Sequence, residues 1–206
     1  MILPMAALSA ERIAEAVGQA GLSPLGTGVA ERFSTYFELL NRWNAKLNLT
    51  AIRTPDEILQ RHFVECIFCA ENLPAGVSTL LDYGSGAGFP GIPIVLCRPE
   101  IRVTLAESQG KKAGFLREAV RTLEIEAEVY AGRVEEMVGD RVFDVVTLRA
   151  VDKMQDAIFE AAERLDREGW LVLLCGAGDV VLPFRFNGNE VPIPGSARRV
   201  MVKARR

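Results

Sequence analysis

The segment DYGSGAGFPG (82–91) constrains this chain most, because it sets four glycines within eight residues directly after an apolar run, TLLDY (79–83). A strand that runs into such a loop is the entry to a doubly wound α/β sheet, where ligands bind at the carboxyl ends of the strands. The rest of the C-terminal two thirds agrees. Short apolar runs at 79–83, 101–107, 127–131, 143–149 and 169–175 alternate with helical stretches at 91–97, 111–124, 134–138 and 152–166. Strands alternating with helices mean parallel βαβ units covered on both faces. After 176 the pattern changes. VVLPFRFN (180–187) and ARRVMVKA (197–204) have no helix between them, which predicts an antiparallel pair at the sheet edge.

Residues 1–75 read instead as helices, an extension to a core at 76–206. Ser9 caps a helix over 10–20. Val29, Phe33, Phe37, Leu40, Trp43 and Leu47 recur at helical spacing, and Thr54-Pro55-Asp56-Glu57 opens a third helix with an N-cap, a first-turn Pro and a Glu three positions on.

The glycine loop invites a nucleotide ligand. Gly86 to Gly91 formally matches the dinucleotide pattern G-x-G-x-x-G, but the strand already ends at Tyr83. Counted from Gly84, the third glycine position is Phe89. Asp82 at the strand end also disfavours a pyrophosphate. S-adenosylmethionine (SAM), with a sulfonium, an ammonium and no phosphate, suits a carboxylate there. Glu107 ends the next strand, where an acid accepts both ribose hydroxyls of an adenosine ligand, whichever cofactor carries it. An NAD(P)-dependent oxidoreductase is therefore one alternative, and a SAM methyltransferase acting on a protein or small molecule is another.

With 49% apolar and 25% charged residues, the composition is that of a soluble globular chain. No apolar run approaches the roughly 18 residues of a membrane span, and no basic segment precedes the N-terminal apolar stretch as in a signal peptide. Four cysteines without a disulfide framework point to a reduced, cytoplasmic setting. Cys66-x-x-Cys69 falls on an apolar helix face and reads as core. His62 is the single histidine, which excludes multi-histidine metal sites and favours a structural role for that ring. The net charge of −3 hides an asymmetry. RRVMVKARR (198–206) carries five basic groups and no acid, leaving a net of −8 for the remainder, so the C-terminus is the best candidate face for a polyanion.

Several segments resemble one family, the bacterial 16S rRNA guanine-N7 methyltransferases (RsmG, or glucose-inhibited division protein B). They are RWNAKLNLTAI (42–52), Arg61-His62, DYGSGAGFPGIPI (82–94), LAESQGKKAGFL (105–116), GRVEE (132–136) and FDVVTLRAV (143–151). The resemblance implies a Rossmann-like SAM-dependent methyltransferase sheet, mostly parallel with an antiparallel edge strand and an N-terminal helical extension. It implies methylation of guanine N7 (position 527 in the usual RNA numbering) in 16S rRNA, within the 30S subunit, by a cytoplasmic monomer. Gly84, Phe89, Val134, Glu135 and Arg149 match family positions that contact SAM; Asp82, Gly86 and Glu107 join them on the physical argument above. Candidate RNA contacts are Arg149, Arg198, Arg199 and Lys203, with Lys46, Arg53, Arg61, Lys111 and Lys112 behind them. N7 carries an in-plane lone pair and needs no deprotonation, so no metal and no histidine base is expected, and no catalytic residue is assigned. The chain departs from the family at Glu65 and Cys66, usually Asp-Ser, at Cys175, usually Lys, and in lacking a helix over 176–196.

Overall fold

A computed structural model describes residues 8–206. Five helical segments come first among the described residues. Helix α1 (Ala10–Gln19) is capped by the Ser9 hydroxyl, which accepts from the Arg12 N–H. Helix α2 (Thr27–Leu47) follows. Helix α3 (Pro55–Ile58) is capped by Thr54 through the Glu57 N–H, and it continues as a π-helical stretch (Leu59–Val64) into α4 (Glu65–Glu71). The sequence predicts one regular helix here. The wider π turn is the difference, and such turns gather at functional sites.

The sheet has seven strands: β1 (Thr79–Tyr83), β2 (Arg102–Ala106), β3 (Ala127–Tyr130), β4 (Phe143–Arg149), β5 (Leu165–Gly176), β6 (Asn187–Pro192) and β7 (Arg199–Arg205). Helices α5 (Gly91–Cys97), α6 (Gly110–Thr122) and α7 (Met154–Glu163) connect the parallel strands, and Val134–Glu136 is a single 3₁₀ turn where a short helix is expected. The strand order is β3-β2-β1-β4-β5-β7-β6, with β7 antiparallel to both its neighbours. The fold-class expectation therefore holds, with two corrections. The edge strand is β6 at 187–192, because 180–186 forms no strand, and β7 lies inside the sheet between β5 and β6.

Alternation along the strands separates two apolar clusters. Leu80, Val103, Leu105, Val145, Val172, Leu174 and Met201 face a cluster that takes in Phe33, Tyr36, Phe37 and Phe63 from the N-terminal helices, so the core runs unbroken across residue 75. Leu81, Val146, Leu148, Leu171, Leu173, Val200 and Val202 face α7. The same period of two explains the C-terminal basic run. Arg199, Met201 and Lys203 share one face of β7, under α4, and are parts of a sheet rather than a free tail. Among the described residues no helix is long and apolar enough to cross a membrane.

Candidate cofactor and substrate cavity

The carboxyl ends of β1, β2 and β4 open into a cavity of about 900 Å³. Backbone geometry shapes its floor. Gly88 has φ +90°, and a Cβ there would come within 2.4 Å of Ile92 Cδ1 and 2.8 Å of the Tyr36 hydroxyl oxygen. At Gly91 a Cβ would meet Leu105 at 2.3 Å and the Asp82 carboxylate at 2.7 Å, so only glycine lets α5 start this close to the sheet. Tyr36 of α2 donates its hydroxyl to the Ala87 carbonyl and supports the loop from below.

Gly84, Gly86, Phe89, Glu107, Val134, Glu135, Arg149 and Arg199 all line this cavity. Glu107 is held from both sides. Its Oε2 accepts from the Gly86 N–H (3.0 Å) and its Oε1 from the Gln109 N–H (2.7 Å), which fixes the carboxylate in the cavity wall while each oxygen keeps acceptor capacity. Val134 and Glu135 are placed by Arg164 of the β5 approach, whose guanidinium donates to the carbonyls of Val134 (2.9 Å) and Met137 (3.0 Å).

Asp82, Arg198 and Lys203 lie elsewhere. Asp82 is buried beneath the loop, outside the cavity wall; it accepts from the Gly91 N–H (3.1 Å) and the Thr147 hydroxyl (2.9 Å), tying β1, β4 and α5 together. Burial pushes its carboxyl up to about 6, only partly offset by these hydrogen bonds. Its place therefore corrects the expectation of a carboxylate facing the ligand: the strand end turns this side chain inward. Lys203 donates to the Asn72 carbonyl (3.2 Å) at the end of α4, and Arg198 is exposed away from the cavity. Arg205 and Arg206 pair with Glu168 and Glu163. The C-terminal run is thus mostly engaged within the fold.

The cavity wall also holds a polar cluster that sequence reasoning missed. Arg149 donates Nε–H to Glu65 Oε1 (2.9 Å) and its Nη2 hydrogens to the Arg61 carbonyl (2.7 Å) and His62 Nδ1 (2.9 Å). A guanidinium only donates, so Nδ1 accepts and the His62 proton sits on Nε2, which donates to the Thr50 hydroxyl (2.9 Å). Burial, then the Arg149 charge, lowers the His62 pKa to about 2. The ring stacks on Phe89 at 4.4 Å between centroids. The sole histidine is a neutral acceptor that orients an arginine. The π turn provides two of the three groups Arg149 uses here, the Arg61 carbonyl and the His62 ring, and α4 provides Glu65. The one sequence signal was Glu65, three residues after His62 in RHFVEC, where the chain departs from the family pattern. Cys66 and Cys69 are fully buried, and burial pushes both thiols up, as core cysteines.

Comparison with known proteins places this architecture. The structure of the mitomycin 7-O-methyltransferase MmcR matches with TM-score 0.60 and 16% identity, over 96% of this chain and 67% of that one. Cofactor-bound Rv0187 from MTB matches with TM-score 0.62 and 15% identity, over 84% and 88%. These likenesses show the fold, a Rossmann-like α/β sheet that is also the fold of those two proteins. Residues 29–179 match the family described as rRNA small subunit methyltransferase G, and the chain belongs to that family. A ribosomal RNA small subunit methyltransferase G from Neisseria meningitidis serogroup A is 36% identical over 77% of this chain and 78% of its own length. One from Roseiflexus sp. is 43% identical over 60% of this chain. The match spans 55% of the Roseiflexus protein and 66% of a Xanthomonas euvesicatoria relative, under two thirds of each.

Proposed function

We propose that this protein is a SAM-dependent methyltransferase that methylates N7 of a guanine, position 527, in 16S rRNA. It acts in the cytoplasm as a monomer, with the 30S subunit as substrate. The observation that carries the reading is the Glu107 carboxylate, held by two backbone N–H groups in the wall of a glycine-floored cavity, in a chain whose family is named for small-subunit rRNA methylation.

The residues present fit the cofactor. Glu107 offers acceptors to the two ribose hydroxyls, Gly84 and Gly86 leave room for close approach of a ligand to backbone, and Val134 and Glu135 line the wall suited to adenine. Bound SAM supplies an electrophilic methyl carbon on a sulfonium. Guanine N7 already has a lone pair in the ring plane, so these residues would have only to align it with the methyl carbon and exclude water, the S–CH3 bond being the one exchanged for N7–CH3 and S-adenosylhomocysteine the leaving group. His62 takes no proton in this scheme. It fixes Arg149 instead, which leaves the cavity's substrate end rigid. The acceptor must enter as an unstacked base, since a ring inside a helix cannot reach a cavity floor.

Methyl transfer from labelled SAM into unmodified 30S subunits, followed by mapping of the modified base, tests the proposal. Label at guanine N7 is expected; label in protein alone favours the protein-methylating alternative and sinks this reading. Calorimetry with SAM and with NAD(P) decides the cofactor, since binding of NAD(P) alone would make the chain an oxidoreductase.

A further inference from the structure

Glu65 is 2% exposed, and one carboxylate there meets two guanidiniums. Its Oε1 accepts from Arg149 Nε (2.9 Å) and Arg199 Nη2 (2.6 Å), and its Oε2 accepts from Arg199 Nε (3.1 Å). Arg199 Nη2 also donates to the Leu174 carbonyl (3.3 Å). The three side chains come from α4, β4 and β7, so the cluster exists only in the finished fold. Its net charge is +1.

Among the described residues neither of the two Nη1 amino groups has a hydrogen-bond partner. Among the described residues no fully buried side-chain nitrogen or oxygen lacks a partner, so each Nη1 keeps some exposed surface, on residues that line the cavity. We infer that the Nη1 groups of Arg149 and Arg199, clamped by Glu65, form a preformed subsite for an oxyanion, with Glu65 as its positioning residue. The clamp immobilises both forks during folding, so a ligand meets donors that need no reorganisation. The net positive charge selects an anion over a neutral acceptor. It also disfavours the reacting guanine ring as occupant, because that ring gains positive charge as the methyl group arrives. This inference rests on the proposed function, in which two oxyanions reach the cavity: the carboxylate of the cofactor's amino-acid end and an RNA phosphate.

The test uses the full chain and three variants. Wild type is first titrated with S-adenosylhomocysteine, with methylthioadenosine, which lacks the amino-acid end, and with unmodified 30S subunits across a salt series. A wild type that binds none of these overturns the methyltransferase reading and this inference with it. For a carboxylate occupant, Arg199→Gln weakens S-adenosylhomocysteine about tenfold or more and leaves methylthioadenosine unchanged. For a phosphate occupant, both small ligands are unchanged, 30S affinity falls, and the slope of log affinity against log salt drops by about one. Glu65→Gln separates positioning from mere field. Removing a negative charge would tighten anion binding if charge alone mattered, whereas loss of the clamp weakens it several-fold on the same ligand, with Glu65→Asp partly restoring it. Arg199→Lys, which keeps the charge and loses the fork, serves if the glutamine variant does not fold; it is expected to bind the same ligand more weakly than wild type. Affinities within twofold of wild type in the folded variants, or tighter binding by Glu65→Gln, overturn the inference.

Discussion

His62 makes the protein's stability depend on pH in a way that a variant can isolate. In the unfolded chain its imidazole titrates near 6.5, and in the fold near about 2, because burial and Arg149 oppose the proton. The native state therefore stays neutral as pH falls while the unfolded state takes up a proton. Stability from this site is complete above 6.5 and is lost as pH drops toward 2. Between about pH 7.5 and about pH 4 the loss is about 3 kcal/mol, at 1.36 kcal/mol per unit below 6.5. Asp82 works the other way. Its carboxyl is raised from 3.8 to about 6 by burial, so its contribution is complete below 3.8 and is lost as pH rises through 6. It offsets roughly 2.5 kcal/mol over the same interval, so these two sites together leave a net change of only about 1 kcal/mol. Chemical denaturation of wild type and His62→Asn at a series of pH values exposes the hidden slope. The cost of the substitution is expected to shrink by about 3 kcal/mol between pH 7.5 and pH 4, and for Asp82→Asn the cost is expected to grow. A His62→Asn cost that is the same at both ends of the range would refute the neutral, Arg149-facing histidine.

Three further outcomes follow from the geometry. Gly88→Ala forces an L side chain to φ +90° against Ile92 and Tyr36 and should lower stability by about 2–4 kcal/mol, read from thermal unfolding. Glu107→Gln replaces the charged acceptor held by Gly86 and Gln109; calorimetry should show SAM affinity reduced about tenfold or more, and unchanged affinity would remove Glu107 from the cofactor site. Deleting 199–206 removes a strand paired on both sides, so cooperative unfolding should be lost, whereas a free basic tail would leave the melting transition in place.

Much of the fold is legible because strand and helix periods are local properties. TLLDY, FDVVTLR and the Ser9 and Thr54 caps appear where their residues predict them. The C-terminal third is less legible. In VVLPFRFN the apolar residues suit a strand, yet β6 forms from the polar NGNEVP, whose partner β7 sets the pairing from a distance. The basic run RRVMVKARR misleads for the same reason: charge count is visible in a sequence, but the face each charge takes is decided by the strand it lies in. At the cavity, glycines and a strand-end acid are local signals and lead to Glu107. Asp82 has the same local signal and turns inward, since which end of a strand residue meets ligand depends on the helix packed over it. The Glu65–Arg149–Arg199 cluster spans residues 65 to 199, and beyond the departure at Glu65 no short-range pattern announces it.

The π-helical turn at Leu59–Val64 carries a consequence for length changes. One residue fewer in that stretch would let the chain from Pro55 to Glu71 wind as ordinary α-helix, the commoner geometry. A π stretch of 6 residues turns through about as much as five α-helical residues, so that deletion would leave α3 and α4 on their present faces. What would change is the bulge itself, and with it the aim of the Arg61 carbonyl and the His62 ring that hold Arg149. The extra residue is therefore what fits an otherwise regular helix to its arginine.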